Sequence, residues 1–258
     1  MTNFKQIKKG TISTPEGFSA DGIFCGLKSA GEGKLDLGII LSDKDCNWAA
    51  TYTKNKIKSS SIDYCKEIKG KIRGVIVNSG SANCCVGSQG LADARKIAML
   101  AKEKYESKTP FLVSSTGVIG VEIPVGLIKK EIDNFNPSEA GGEKFSRAII
   151  TTDSKTKNIC IEVKTSKGMF KIGGVAKGSG MIHPKMGTML GYITTDALVD
   201  SNTLTDTLKK SVDISFNQID IDGDTSTNDT VIIMANGMSG QEIKNETDKK
   251  IFSEAIDY

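Results

Sequence analysis

The residues best suited to covalent chemistry lie in one stretch, Gly173 to Leu190, which reads Gly-Gly-Val-Ala-Lys-Gly-Ser-Gly-Met-Ile-His-Pro-Lys-Met-Gly-Thr-Met-Leu. Four glycines and a proline in its first twelve positions demand tight turns and leave the backbone open to approach. The segment then turns apolar, from Met189 to Asp196, where β-formers mix with small residues as in a buried strand. Thr188 stands at that junction after Gly187, a hydroxyl placed where loop gives way to core, which suits a nucleophile. Lys177 supplies a cation upstream. A glycine-rich loop ahead of a strand also reads as a plain connection. A phosphate loop is excluded, because Lys177 precedes Gly178 instead of lying between a glycine and a Ser or Thr. No Gly-x-Ser-x-Gly elbow surrounds Ser179.

A second candidate is the strand Phe111 to Gly120, which ends in the polar turn Ser114-Ser115-Thr116-Gly117. It reads either as a capped turn or as a pair of donors. In the second reading the Thr116 hydroxyl and the Gly117 N–H converge on one oxygen, and glycine permits the close approach that an oxyanion hole requires. Thr151-Thr152-Asp153 would present polar groups at the end of a strand spanning Ala148 to Asp153. The similar Thr194-Thr195-Asp196 reads as structural. Asp220, Asp222 and Asp224 alternate like a calcium loop, but the sixth and twelfth positions are Thr225 and Val231 where an EF-hand needs Gly and Glu.

These groups need a scaffold, and apolar patterning supplies one. Strands are expected at Leu35–Ser42, Trp48–Tyr52, Ile72–Ser79 and Val231–Met234. Leu91, Ala94, Ile97, Ala98, Ala101 and Tyr105 recur at helical spacing. Further helices are expected around Phe145 and Ile149, over Leu204–Ser215 and at Ile251–Tyr258. The chain of 258 residues can bury one large core or two modest ones. Its 34 basic and 31 acidic residues nearly balance, with no basic stripe interleaved with aromatics, so nucleic acid is not indicated. No run approaches the ~20 apolar residues of a membrane span, and the N-terminus carries no apolar signal segment. Six cysteines without C-x-x-C spacing and a single histidine argue against zinc and for reduced thiols in a cytoplasmic protein.

The run from Gly174 to Leu190 resembles the self-cleavage segment of the bifunctional ornithine acetyltransferase/glutamate N-acetyltransferase family of arginine biosynthesis. Two positions depart from the family, Gly187 where alanine is usual and His183 where a small residue is common. Asn78 to Gly87 is similar to the family's Asn-Ser-Gly-x-Ala-Asn-x-Cys-x-Gly signature, and Asp222 to Asp229 to its Asp-x-Asp-Thr-Ser-Thr-Asn-Asp run. The likeness extends from about Gly10 to the end.

The resemblance implies an α/β fold of layered α-β-β-α architecture. It implies self-cleavage between Gly187 and Thr188, giving an alpha chain, residues 1–187, and the first part of a beta chain, residues 188–258. Thr188 becomes the N-terminal nucleophile, Thr116 and Gly117 form the oxyanion hole, and Thr151 and Thr188 contact substrate, with Lys177 either binding a substrate carboxylate or assisting the new amine. The implied reaction moves acetyl from N-acetylornithine to glutamate through an acetyl-threonine. No cofactor or metal is bound, and acetyl-CoA stays open as a second donor. The implied assembly is a heterotetramer of two alpha and two beta chains. Family members continue past Tyr258, so the chain is expected to be incomplete and poorly active alone. A related N-terminal-nucleophile aminopeptidase and a non-catalytic subunit remain the alternatives.

Overall fold

The computed structural model describes residues 3–28, 33–183 and 189–258. In chain order these form β1 (Phe4–Gln6), β2 (Phe18–Ile23), β3 (Leu37–Tyr52), α1 (Ser60–Glu67), β4 (Ile72–Ser81), α2 (Gln89–Lys104), β5 (Phe111–Val118) and α3 (Val125–Glu131). There follow α4 (Gly142–Ile149), β6 (Lys157–Lys164), β7 (Met169–Lys177), β8 (Leu190–Thr195), α5 (Ser201–Ile214), β9 (Thr230–Ala235) and α6 (Glu246–Asp257).

β3 belongs to two sheets. Its first half, Leu37 to Leu41, pairs antiparallel with β2 and β4, and β4 pairs in parallel with β5. The register slips between Leu41 and Cys46, a bulge that bends the strand. Its second half, Asn47 to Tyr52, pairs with β9, and that sheet continues through β8, β7, β6 and β1. The two extended pieces expected at Leu35–Ser42 and Trp48–Tyr52 are thus one strand that changes sheets.

β9 is apolar at nearly every position because both of its faces are covered. Val231, Ile233 and Ala235 pack with Leu204, Leu208 and Val212 of α5 and Phe252 of α6. Ile232 and Met234, pointing the other way, join Leu190 and Tyr192 in the core shared with Leu37, Ile39 and Val75 of the facing sheet. The outer face of that second sheet is covered by α1 and α2. Tyr64 Oη donates to the Phe111 carbonyl at 3.0 Å, and Ala94, Ile97, Ala98 and Ala101 enter the same core. The layers are therefore helix, sheet, sheet, helix, as expected. No helix among the described residues is long and apolar enough to cross a membrane.

One element differs from expectation. Ala148 and Ile149 end helix α4 and do not open a strand. Phe145, Ala148 and Ile149 lie at positions i, i+3 and i+4 and are fully buried, with the Phe145 ring edge-on to Tyr192 at 5.5 Å between centroids. Burial of that face outweighs the β preference of the Ile-Ile-Thr-Thr run. Residues 151–155 then form bends between α4 and β6.

Candidate functional site

Register places the candidate residues at one end of the two sheets. Lys177, the last residue of β7, pairs with Leu190, the first of β8, and Leu190 pairs with Thr230 of β9. In the facing sheet, Thr116 and Gly117 near the end of β5 lie beside Ser79 and Gly80 of β4. Lys177 has the same strand parity as Val175, whose side chain lies between the sheets, so its side chain also points inward. Its Nζ donates to Thr116 Oγ1 at 2.7 Å, joining the two sheets.

The burial of that contact decides its chemistry. Lys177 is 2% exposed and Thr116 4%, while Gly117 is exposed, so β5 leaves the core at this step. An ammonium donates and cannot accept, so Thr116 Oγ1 must be the acceptor. The Thr116 hydroxyl proton is then left to bond something else, as an oxyanion donor requires. Gly117 has φ +133°, and a Cβ there would sit 2.3 Å from the carbonyl carbon of Gly80. Only glycine lets β5 pass so close to β4 in this conformation.

Burial pushes the Lys177 ammonium down to about 8, with the Asp153 and Asp229 carboxylates drawing it back up. Burial also pushes the Asp229 carboxyl up to about 7, against the Met189 N–H, the Ser226 hydroxyl and the Lys177 charge. An acid and a base thus titrate near neutrality in one buried corner, the condition general acid–base sites need.

Thr151 is exposed, in the bend after α4. The residues that follow it are stitched to the exit of β7. Thr152 and Ser179 share a 2.6 Å hydrogen bond, and Asp153 Oδ1 accepts the Gly178 N–H at 2.8 Å and Lys157 Nζ at 2.5 Å. Although desolvation opposes it, these contacts hold the Asp153 carboxyl below the usual carboxylate range. Gly187 and Thr188 lie outside the described residues. Met189, which follows Thr188, donates its N–H to Asp229 Oδ1 at 2.8 Å and accepts from the Thr230 N–H at 3.0 Å.

The structure therefore brings Lys177, Thr116 and Gly117 together, with Thr151 on an adjoining loop. The second Thr-Thr-Asp is structural. Thr194 Oγ1 donates to the Ile12 carbonyl, Thr195 Oγ1 to the Lys171 carbonyl, and Asp196 accepts the N–H groups of Glu16 and Lys171. Asp222, from the alternating aspartates, accepts the N–H groups of Met181 and Ile182. Sequence reasoning reads the run from Asp222 to Asp229 as plausible active-site architecture but gives Asn228 and Asp229 no role. Their signal was a polar Thr-Asn-Asp directly ahead of an unbroken apolar strand, a place where side chains are drawn inward with the chain.

The ArgJ family model matches residues 19–258. The arginine biosynthesis bifunctional protein ArgJ of Bacillus anthracis is 45% identical over 245 residues, which is 93% of this chain and 60% of that protein. The chain thus spans about three fifths of the length of the curated relatives it matches. Among solved structures, the arginine biosynthesis bifunctional protein from Bacillus halodurans is similar with TM-score 0.66 at 36% identity, over 72% of this chain and 98% of that one. The ornithine acetyltransferase of Mycobacterium tuberculosis, complexed with ornithine, follows with TM-score 0.62 at 27% identity, over 70% and 98%. A Burkholderia beta-aminopeptidase, 11% identical with TM-score 0.55, shares the fold alone.

Proposed function

Because the chain belongs to the ArgJ family, we propose that it carries the site of an acetyltransferase that moves acetyl from N-acetylornithine to glutamate. The observation that carries the reading is the Lys177–Thr116 hydrogen bond, which leaves a hydroxyl donor free beside a backbone stretch that only glycine can occupy.

Maturation comes first. The Thr188 hydroxyl attacks the Gly187 carbonyl carbon, and Thr116 and the Gly117 N–H receive the oxyanion. Collapse breaks the C–N bond, the threonine nitrogen leaves as an amine, and water hydrolyses the resulting ester. The products are residues 1–187 and 188–258. The new α-amine, with an ordinary pKa of roughly 7.7–8.0, serves as base for its own hydroxyl.

Transfer reuses the same parts. The Thr188 hydroxyl attacks the acetyl carbonyl of N-acetylornithine, and ornithine leaves with the proton on its amine. The amine of glutamate then attacks the acetyl-threonine, releasing N-acetylglutamate and restoring the hydroxyl. Thr151 contacts the substrate at the mouth of the site, and Lys177 supplies positive charge for its carboxylate end. Acetyl-CoA, attacked at its thioester in the same way, is the second donor to be tested. We read the assembly as two copies of each fragment acting in the cytoplasm.

Intact mass spectrometry tests maturation: the wild type should give two chains and Thr188→Ala one. Incubation with glutamate and either N-acetylornithine or acetyl-CoA tests transfer. An uncut wild type that forms no N-acetylglutamate from either donor, alone or with the relatives' segment beyond Tyr258 supplied as a second chain, overturns the reading.

A further inference from the structure

The dipeptide Asn228–Asp229, immediately ahead of β9, touches both halves of the site. Asn228 Nδ2 donates to the Ala82 carbonyl at 2.6 Å and to the Ser115 carbonyl at 2.7 Å. Ser115 precedes Thr116, and Ala82 follows the end of β4, the strand against which Gly117 is pressed. Thr227 Oγ1 donates to Asn228 Oδ1 at 2.6 Å, which fixes the amide so that its NH₂ faces the two carbonyls. One residue later Asp229 turns the other way and accepts the N–H of Met189, the neighbour of Thr188. Asp229 is fully buried, and its Oδ2 has no hydrogen-bond partner among the described residues.

A carboxyl buried with one oxygen unpaired among the described residues is a poor way to stabilise a fold, since an apolar side chain would avoid the desolvation. Its retention here, one residue from an amide that grips the opposite turn, calls for a different explanation. We infer that Asn228 and Asp229 are positioning residues that set the spacing between the strand following Thr188 and the turn carrying Thr116 and Gly117. The inference rests on the acetyl-transfer reading. Attack and oxyanion capture both depend on that spacing, and a displacement of about 1 Å between reacting groups is enough to lower a rate by roughly 10²-fold. Neither residue touches substrate. Asp229 acts through the Met189 amide, Asn228 through the Ser115 carbonyl.

The test compares Asp229→Leu, Asp229→Asn and Asn228→Ala with the wild type in the full chain. Leucine removes the acceptor and the charge, while asparagine keeps the shape and an acceptor oxygen and removes the charge alone. Asp229→Leu should still fold, since the relieved desolvation of the carboxyl offsets the unpaired Met189 N–H. Its kcat for acetyl transfer to glutamate should nevertheless fall by roughly 10²–10³-fold, with KM within about threefold. Asp229→Asn should recover kcat to within about tenfold of the wild type, and Asn228→Ala should show the same fall in kcat at unchanged KM. Residue-resolved amide exchange supplies a readout independent of activity, with Met189 losing protection in Asp229→Leu and keeping it in Asp229→Asn. Wild-type kcat in Asp229→Leu, an Asp229→Asn as slow as the leucine variant, or unchanged Met189 protection in Asp229→Leu overturns the inference. A wild type that transfers no acetyl defeats the proposed function instead, and the exchange measurement then decides the clamp alone.

Discussion

Lys177 and Thr116, 61 positions apart in the chain, meet through a 2.7 Å hydrogen bond that closes the gap between the two sheets at one end. The bond sets roles for both partners. Thr116 spends a lone pair on Lys177 and keeps its proton for an acceptor in the site, while the ammonium keeps two further protons. Among the described residues, neither the Thr116 proton nor the other Lys177 protons make a hydrogen bond beyond this one.

Replacing Thr116 separates hydrogen bonding from packing. Thr116→Val keeps the shape, removes the hydroxyl and leaves Lys177 without its acceptor. Acetyl transfer should slow by roughly 10²–10³-fold at nearly constant KM. Thr116→Ser should recover most of that loss. Steady-state kinetics with varied N-acetylornithine check both, and a Thr116→Val enzyme at the wild-type rate would return the turn to a structural role.

Lys177→Met tests the cation. Methionine has similar length and no charge, so it fills the space and removes a desolvated ammonium. The variant should melt no lower than the wild type, because a buried charge is replaced by an apolar group. Transfer should nevertheless fall by at least roughly 10²-fold, the loss associated with one well-placed electrostatic group. A melting curve and a turnover assay on the same preparation decide it. Loss of folding together with loss of activity would mark Lys177 as a structural tie.

Much of this arrangement was legible before any fold was known, for reasons particular residues make plain. Val75 to Val77, Phe111 to Val113 and Val231 to Met234 are unbroken β-forming runs because each lies between covered layers. The spacing of Leu91, Ala94, Ile97, Ala98 and Ala101 announces α2, since one face alone is buried. The Ile149–Thr152 run misled, because β-branched residues favour strands locally while the buried Phe145–Ile149 face belongs to a helix. The candidate residues were legible singly, through their motifs. Their meeting was not, because it arises from one sheet packing on another, which local sequence does not encode. The run holding Asp229 was legible as active-site architecture, but the burial of Asp229 was not: an aspartate in a polar run looks solvated until the strand that follows draws it into the core.

Gly117 tests the scaffold. At φ +133° any L side chain is strained, by roughly 1–3 kcal/mol. The added Cβ would also lie 2.4 Å from the Gly80 carbonyl oxygen and 2.7 Å from the Ser81 nitrogen, so β4 and β5 must part. Overpacking of that kind adds roughly 1–3 kcal/mol. Gly117→Ala should therefore lose about 2–6 kcal/mol of stability in urea unfolding. Gly120→Ala, also at positive φ but with open space around its Cβ, should lose less. Equal losses at the two positions would remove the case for a close strand crossing.

The pH dependence of stability follows from the two buried titrating groups, and their signs differ. Burial raises the folded Asp229 carboxyl from its ordinary 3.8 to about 7, so between pH 4 and 7 the native state holds a proton that the unfolded chain has lost. Stability rises with pH only where the unfolded state binds more protons, so Asp229 makes stability fall across that window. Lys177 is lowered to about 8 from 10.5, again by burial. Between pH 8 and 10 the unfolded chain holds the extra proton, so Lys177 makes stability rise there. Together the pair produces a minimum between about pH 7 and 8. At roughly 1.4 kcal/mol per pKa unit, Asp229 alone is worth on the order of 4 kcal/mol. The advantage of Asp229→Leu over the wild type should grow from pH 4 to 7 and then level off, and that of Lys177→Met should shrink from pH 8 to 10. Urea unfolding of the wild type and both variants at intervals of one pH unit measures this. Parallel curves would show that these groups titrate at ordinary values and that the corner is open to water.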